Sequence, residues 1–155
     1  MKPTLILGLG NRLMGDDGVA CHVAGWLAED LAVQAEAEVI ADEPDLLRVA
    51  DKLRGRARLF IVDAALDGAP PGTVSVLDAH QHDEPHNGCR QAHAVSSIEA
   101  LELLRAVGAL EPRTRITLLT VSVGSVRIQE ELSPELSEML PAIMHRVKEL
   151  IVGGS

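Results

Sequence analysis

Four residues have the side-chain types and positions that metal chemistry needs. Asp16 and Asp17 follow the first apolar run of the chain, and Asp63 ends a later one. His93 precedes an amphipathic segment that predicts a helix beginning near Val95. Two carboxylates and one imidazole form a mixed oxygen and nitrogen ligand set, which suits a borderline divalent metal such as nickel or zinc. A helix N-terminus disfavours imidazolium, so it would help to keep His93 neutral and able to ligate.

The same residues also have plain structural interpretations. Aspartate is a favoured helix N-cap, which suits Asp16 or Asp17 before the first helix and Asp63 before the element that follows it. Residues 78–86 read DAHQHDEPH and look like a metal-binding tract. We interpret the His80–His86 segment as a polar loop with incidental metal affinity. We interpret Asp67 as a solvated turn residue.

The chain also begins like a nucleotide-binding protein, with an apolar strand followed by Gly8-Leu9-Gly10. The third glycine of that fingerprint is replaced by Leu13, and no Walker lysine follows. Asp16 and Asp17 would put two negative charges where a pyrophosphate binds. A small dinucleotide-binding domain is therefore disfavoured.

Charge and composition exclude further classes of function. The formal net charge of −9 repels nucleic acid and anionic membranes. One Phe, one Trp and no Tyr leave no aromatic platform for single-stranded nucleic acid, so Leu, Val, Ile and Ala must build the core. Cys21 and Cys89 lie in no nucleophile, disulfide or zinc motif. The apolar run 5–9 is too short for a signal peptide or a membrane span, and we expect a cytoplasmic monomer.

Short apolar runs alternate with amphipathic segments, which predicts an α/β fold. We expect a single domain over residues 1–155: a three-layer α/β/α sandwich with a mostly parallel, roughly five-stranded sheet. The run 73–77 alternates and predicts an antiparallel edge strand. The predicted strands are 5–9, 38–41, 58–63, 73–77 and 115–123; the predicted helices follow the acid pair, Pro44, His93 and Ser133. The first and third strands would deliver the acids to one carboxyl edge, where ligands bind in such sheets.

The first helix is expected to carry an apolar stripe from Val19 through Leu31, and the last helix one from Leu136 to Ile151. Ser133 and Pro134 form a typical N-cap and first position for the last helix. In the helix after His93, Leu101 and either Leu103 or Leu104 would face inward.

In order and spacing, these motifs resemble the hydrogenase maturation protease family, the endopeptidases that trim the C-terminal extension of the nickel–iron hydrogenase large subunit. The resemblance is carried by GLGNRLMGDDG over residues 8–18. It continues with VDA at 62–64, PGT at 71–73, His93 before a helix, and LSPEL at 132–136. It therefore spans nearly the whole chain.

The resemblance implies an aspartic-type endopeptidase whose metal ligands are Asp17, Asp63 and His93. The metal would be the nickel of a hydrogenase large-subunit precursor, bound transiently, so that cleavage follows nickel insertion. Two mechanisms stay open: Asp17 or Asp16 could activate water, or the site could only recognise nickel and strain the tail. The alternative function is a non-catalytic nickel-binding or metal-delivery protein that uses the same acids.

Overall fold

The computed structural model describes residues 1–11, 15–43, 45–78, 94–124 and 131–153, and of residues 94–98 it describes only the backbone. Within these ranges the chain forms one five-stranded sheet of order β2-β1-β3-β5-β4. The strands are β1 Thr4–Leu9, β2 Ala37–Glu43, β3 Arg58–Ala65, β4 Val74–Asp78 and β5 Arg115–Ser122. Four strands are parallel, and β4 pairs antiparallel with β5 at the edge. The predicted mostly parallel sheet with one antiparallel edge strand is confirmed.

The helices are α1 Val19–Glu29, α2 Leu31–Glu36, α3 Ala50–Leu53, α4 Ala94–Ala106 and α5 Pro134–Val152. Two short 3-10 helices, Gly15–Gly18 and Leu46–Val49, precede α1 and α3. None of the helices in the described ranges is long and apolar enough to cross a membrane.

The first predicted helix is in fact two helices. The carboxylate of Asp30 accepts hydrogen bonds from the backbone amides of Ala32 and Val33, at 2.9 and 3.2 Å, and so starts a new helix. The expectation that Leu31 belongs to the buried stripe is wrong: Leu31 is 80% exposed. The break turns its side chain out of the register that α1 sets.

The other helix starts differ less from expectation. Asp45 caps the short helical segment that follows β2. Pro44, which was expected in the first turn of that helix, lies outside the described residues. Ser133 caps α5 as predicted, accepting a hydrogen bond from the amide of Leu136. On α4, Leu104 is buried and Leu103 is half exposed, which decides between the two candidates.

Two hydrophobic cores lie on opposite faces of the sheet, as a three-layer sandwich requires. The first core packs α1 and α5 against side chains such as Ile6, Val62 and Leu119. The second packs the 3-10 helix Leu46–Val49, α3 and α4 against Leu7, Ile61 and Leu118. The predicted stripe of α5 lies in the first core, with Leu136, Ile143, Val147 and Ile151 buried and Leu140 partly buried against it.

Candidate active site

Asp17 lies just beyond the carboxyl end of β1, in the 3-10 helix Gly15–Gly18. Its side chain is almost completely buried, and its Oδ2 accepts a hydrogen bond from the backbone amide of Asn11 at 3.1 Å. The backbone passes close enough that a Cβ on Gly10 would meet the Asp17 carbonyl oxygen at 2.3 Å. Glycine at position 10 therefore permits the turn that brings Asp17 back over the end of β1.

Gly8, two residues earlier on β1, makes a second close approach, to β2 and α1. A Cβ at this position would lie 2.5 Å from the carbonyl oxygen of Ala41 and 2.6 Å from the Cβ of Ala24. The missing side chain lets α1 pack directly on β1 beside β2. Gly8 and Gly10 thus allow the close backbone approaches that the nucleotide-like pattern predicted. Here, however, the turn that they permit leads into an acidic 3-10 helix.

Asp63 lies within β3 and is fully buried. Its Oδ1 accepts a hydrogen bond from the amide of Ala64 at 2.8 Å, and the strand continues to Ala65. The alternative that Asp63 caps a following helix is therefore wrong. In the parallel register Asp63 is paired with Leu9 of β1, only two residues before the amide that holds Asp17.

One row of residues crosses the whole sheet at this carboxyl edge. The register aligns Glu43 of β2, Leu9 of β1, Asp63 of β3, Thr120 of β5 and Ser75 of β4. The row lies on the same face as Ile61 and Leu118, the face covered by α3 and α4. Thr120 is not among the residues predicted for the site, although a polar residue inside an apolar strand run is a signal for it.

Asp16 points away from this row and binds the start of α5. Its Oδ1 accepts from the amide of Ser133 at 2.7 Å, and its Oδ2 accepts from the Ser133 hydroxyl at 2.9 Å. Gly18, which has no side chain, is the N-cap of α1. The expectation that Asp16 or Asp17 caps α1 is therefore wrong, because the 3-10 helix separates both acids from the first turn of α1.

Asp67 was expected to be a solvated turn residue, which is only partly right. It does form a turn, because its Oδ1 accepts from the amide of Ala69 at 3.1 Å. Its Oδ2 also accepts from the hydroxyl of the buried Ser122, at 3.1 Å. Asp67 is therefore half-buried and tied to the end of β5, so it is more than a solvated turn residue.

The third candidate ligand, His93, lies outside the described residues, as do the His80–His86 segment and Cys89. In the parts of the chain that the structure does describe, no three His, Cys, Asp or Glu side chains are grouped as a metal site. The structure brings Asp17 and Asp63 to one edge, where the 3-10 helix Gly15–Gly18 contacts β3. The metal-ligand roles of Asp17, Asp63 and His93 stay a prediction.

Two ion pairs that lower the pKa of a carboxyl group lie away from this edge. A hydrogen bond from Lys148, at 2.7 Å, lowers the pKa of Asp30 from its usual value. A hydrogen bond from the buried guanidinium of Arg56, at 2.5 Å, lowers the pKa of Glu38. Arg56 also donates to the carbonyl oxygens of Lys2 and Lys52 and so ties together the amino edge of the sheet.

A family model described as hydrogenase maturation protease matches residues 21–150. Protein FrxA of Pyrococcus furiosus is 26% identical over 147 residues, covering 91% of this chain and 99% of that protein. The solved [NiFe] hydrogenase maturation protease HybD of Thermococcus kodakarensis superposes with a TM-score of 0.78 at 29% identity, covering 97% of this chain and 99% of that one. The hydrogenase maturating endopeptidase HybD of E. coli shares the fold, with a TM-score of 0.72 at 21% identity over 99% and 94% of the two chains.

Proposed function

The chain belongs to the hydrogenase maturation protease family, and from that premise we propose that it is an endopeptidase that removes the C-terminal extension of a nickel–iron hydrogenase large-subunit precursor. Family membership makes it a processing peptidase of hydrogenase maturation. A large-subunit precursor is the kind of partner that this family acts on. The inserted nickel belongs to that substrate, and cleavage follows its insertion.

The proposed nickel-reading residues are Asp17, Asp63 and His93. The observation that carries the proposal is the placement of two buried carboxylates at one carboxyl edge, Asp17 in the 3-10 helix that follows β1 and Asp63 on β3. Carboxylate oxygens with an imidazole nitrogen form a donor set that suits nickel. The residues present therefore fit the metal that the substrate would carry.

The orientation of the two carboxylates supports the same role. In each, one oxygen is held by a backbone amide, that of Asn11 for Asp17 and that of Ala64 for Asp63. A carboxylate fixed in this way loses little orientational freedom when it meets a metal or a water molecule. We extend the proposal to an aspartic-type reaction, in which one of these carboxylates orients the attacking water beside the scissile bond.

Precursor trimming by three single variants tests this proposal. Asp17→Asn, Asp63→Asn and His93→Ala should each abolish trimming of nickel-loaded precursor. Asp45→Asn is a matched control, because Asp45 caps the segment after β2 and lies outside the proposed ligand set. Full processing by all three variants would contradict the proposal.

The same assay separates a protease from a metal-delivery protein. A protease releases several equivalents of the C-terminal peptide per molecule. A delivery protein would bind nickel and release none. Multiple turnover is the expected result, and nickel binding without peptide release would favour the non-catalytic alternative.

A further inference from the structure

Asp16 and Ser133 form a buried contact between two segments that lie far apart in the sequence. Both carboxylate oxygens of Asp16 are engaged, one by the amide and one by the hydroxyl of Ser133. Asp16 is 6% exposed. We call this pair of hydrogen bonds the Asp16–Ser133 clasp.

The clasp has a clear physical basis. Ser133 is the N-cap of the 19-residue helix α5, and its hydroxyl accepts from the amide of Leu136 while donating to Asp16. The partial positive charge of a helix N-terminus favours a carboxylate there. Hydrogen bonds to an ionised acceptor are about twice as strong as neutral ones. The clasp therefore fixes the 3-10 helix Gly15–Gly18 against the start of α5.

The neighbouring residue in that 3-10 helix is Asp17. All four residues of the 3-10 helix are buried, and the Asp17 carboxylate accepts a hydrogen bond from the Asn11 amide. The segment that carries Asp17 is thus held at two points, by Asn11 and by Ser133. We infer that Asp16 is a positioning residue whose clasp with Ser133 holds the Asp17 carboxylate in place. This inference rests on the proposed function only where trimming is the readout.

The chain contains a closely matched control in Asp30. This aspartate accepts hydrogen bonds from two backbone amides at the start of α2, and like Asp16 it binds α5, in its case through Lys148. It lies at the junction of α1 and α2, at the far end of α1 from Asp17. Asp16→Ala and Asp30→Ala each remove a buried or half-buried carboxylate that binds α5 near a helix start, but only Asp16 lies beside Asp17.

Amide hydrogen exchange gives a readout that needs no activity. In Asp16→Ala, the Asn11 amide should exchange faster than in the wild type, because the Asp17 oxygen that it binds is no longer held in place. In Asp30→Ala, exchange at Asn11 should be unchanged. Equal exchange at Asn11 in wild type and Asp16→Ala, measured by NMR on the full chain, would overturn the inference.

Trimming distinguishes positioning from direct chemistry. Asp16→Ala should lower kcat/KM about ten- to a hundredfold, as a small displacement of a reacting group does, while Asp30→Ala keeps it. Asp16→Asn retains an oxygen that accepts from the Ser133 amide, so it should recover most of the loss. If Asp16→Asn is as inactive as Asp17→Asn, Asp16 acts on the substrate itself and the inference is wrong.

Ser133→Ala provides a second route to the same contact, should Asp16→Ala fold poorly. It removes the hydroxyl but leaves the backbone amide, so exchange at Asn11 should rise to a level between wild type and Asp16→Ala. Adding Ser133→Ala to Asp16→Ala should lower trimming no further, because Asp16→Ala alone already removes both hydrogen bonds of the clasp. Additive losses would contradict the inference. Unchanged trimming in Asp17→Asn would instead count against the proposed function, and the exchange result would still stand.

Discussion

Asp63 of β3 lies opposite Thr120 of β5 in the parallel register, and both side chains are buried on the same face of the sheet. Within the part of the chain that the structure describes, the Thr120 hydroxyl oxygen has no hydrogen-bond partner. A hydroxyl buried without a partner costs about 1–3 kcal/mol. The carboxyl edge therefore places a costly polar group next to the carboxylate that we propose as a nickel-reading residue.

Thr120→Val tests this cost directly. Valine has nearly the same shape without the hydroxyl, so we expect the free energy of unfolding to rise by about 1 kcal/mol in urea titrations. Thr114→Val is the matched control, because the buried Thr114 hydroxyl donates to the Arg56 carbonyl oxygen at 2.7 Å. That variant should lose about 1 kcal/mol. A loss of stability in Thr120→Val as large as that in Thr114→Val would contradict this account of Thr120.

Gly8→Ala should destabilise the protein strongly. The new methyl group would meet two carbonyl oxygens and the Ala24 Cβ, all closer than 3.0 Å, so α1 must shift away from β1. We expect a loss of about 3 kcal/mol, typical of overpacking between backbone elements. Gly124→Ala is the comparison, since its Cβ would make only an ordinary contact of 3.6 Å with Pro71. Similar melting temperatures for Gly8→Ala and Gly124→Ala would show that the close packing of α1 is not required.

The Glu38–Arg56 pair predicts a pH-dependent contribution to stability. Its hydrogen bond lowers the pKa of Glu38 below the usual 4.5. The stabilisation is therefore fully present above pH 4.5 and is lost as the pH falls through the lower pKa of the folded state. Because the Glu38 side chain is 44% exposed, solvent screening limits the contribution to about 1 kcal/mol or less.

Urea titrations of wild type and Glu38→Gln across pH 3 to 7 measure that contribution, in the range where it changes. The difference between the two proteins should be constant near neutrality and shrink below pH 4.5. Glu36→Gln, the same substitution at an exposed position on α2, is the control. A Glu38→Gln difference that grows on acidification would reverse the predicted sign.

Most of the fold could be predicted because it depends on local patterns. Apolar runs fixed the strands, and the alternation in 73–77 identified the antiparallel edge strand, observed as Val74–Asp78. The Ser133-Pro134 signal correctly located the start of α5. The break at Asp30 was missed because the apolar spacing runs through it, and because its contact with Lys148 joins residues 118 positions apart.

The site was predicted less completely, because some of its contacts also join residues that lie far apart in the sequence. That Asp17 and Asp63 reach one edge follows from parallel strands and could be expected. The role of Asp16 could not, because its partner Ser133 lies 117 residues away and contacts it only in the folded chain. The pairing of Thr120 with Asp63 could not be predicted either. It depends on the register between β3 and β5, which the spacing of residues in the sequence does not reveal.

Under the proposed function, this peptidase cleaves only a precursor that carries nickel. The most direct measurement compares multiple-turnover trimming of nickel-loaded and nickel-free large-subunit precursor by the wild-type protein, with Asp63→Asn in parallel. We expect rapid release of the C-terminal peptide from nickel-loaded precursor by the wild type alone, and none from nickel-free precursor. Equal trimming of both precursors, or trimming of the nickel-loaded one by Asp63→Asn at the wild-type rate, would contradict it.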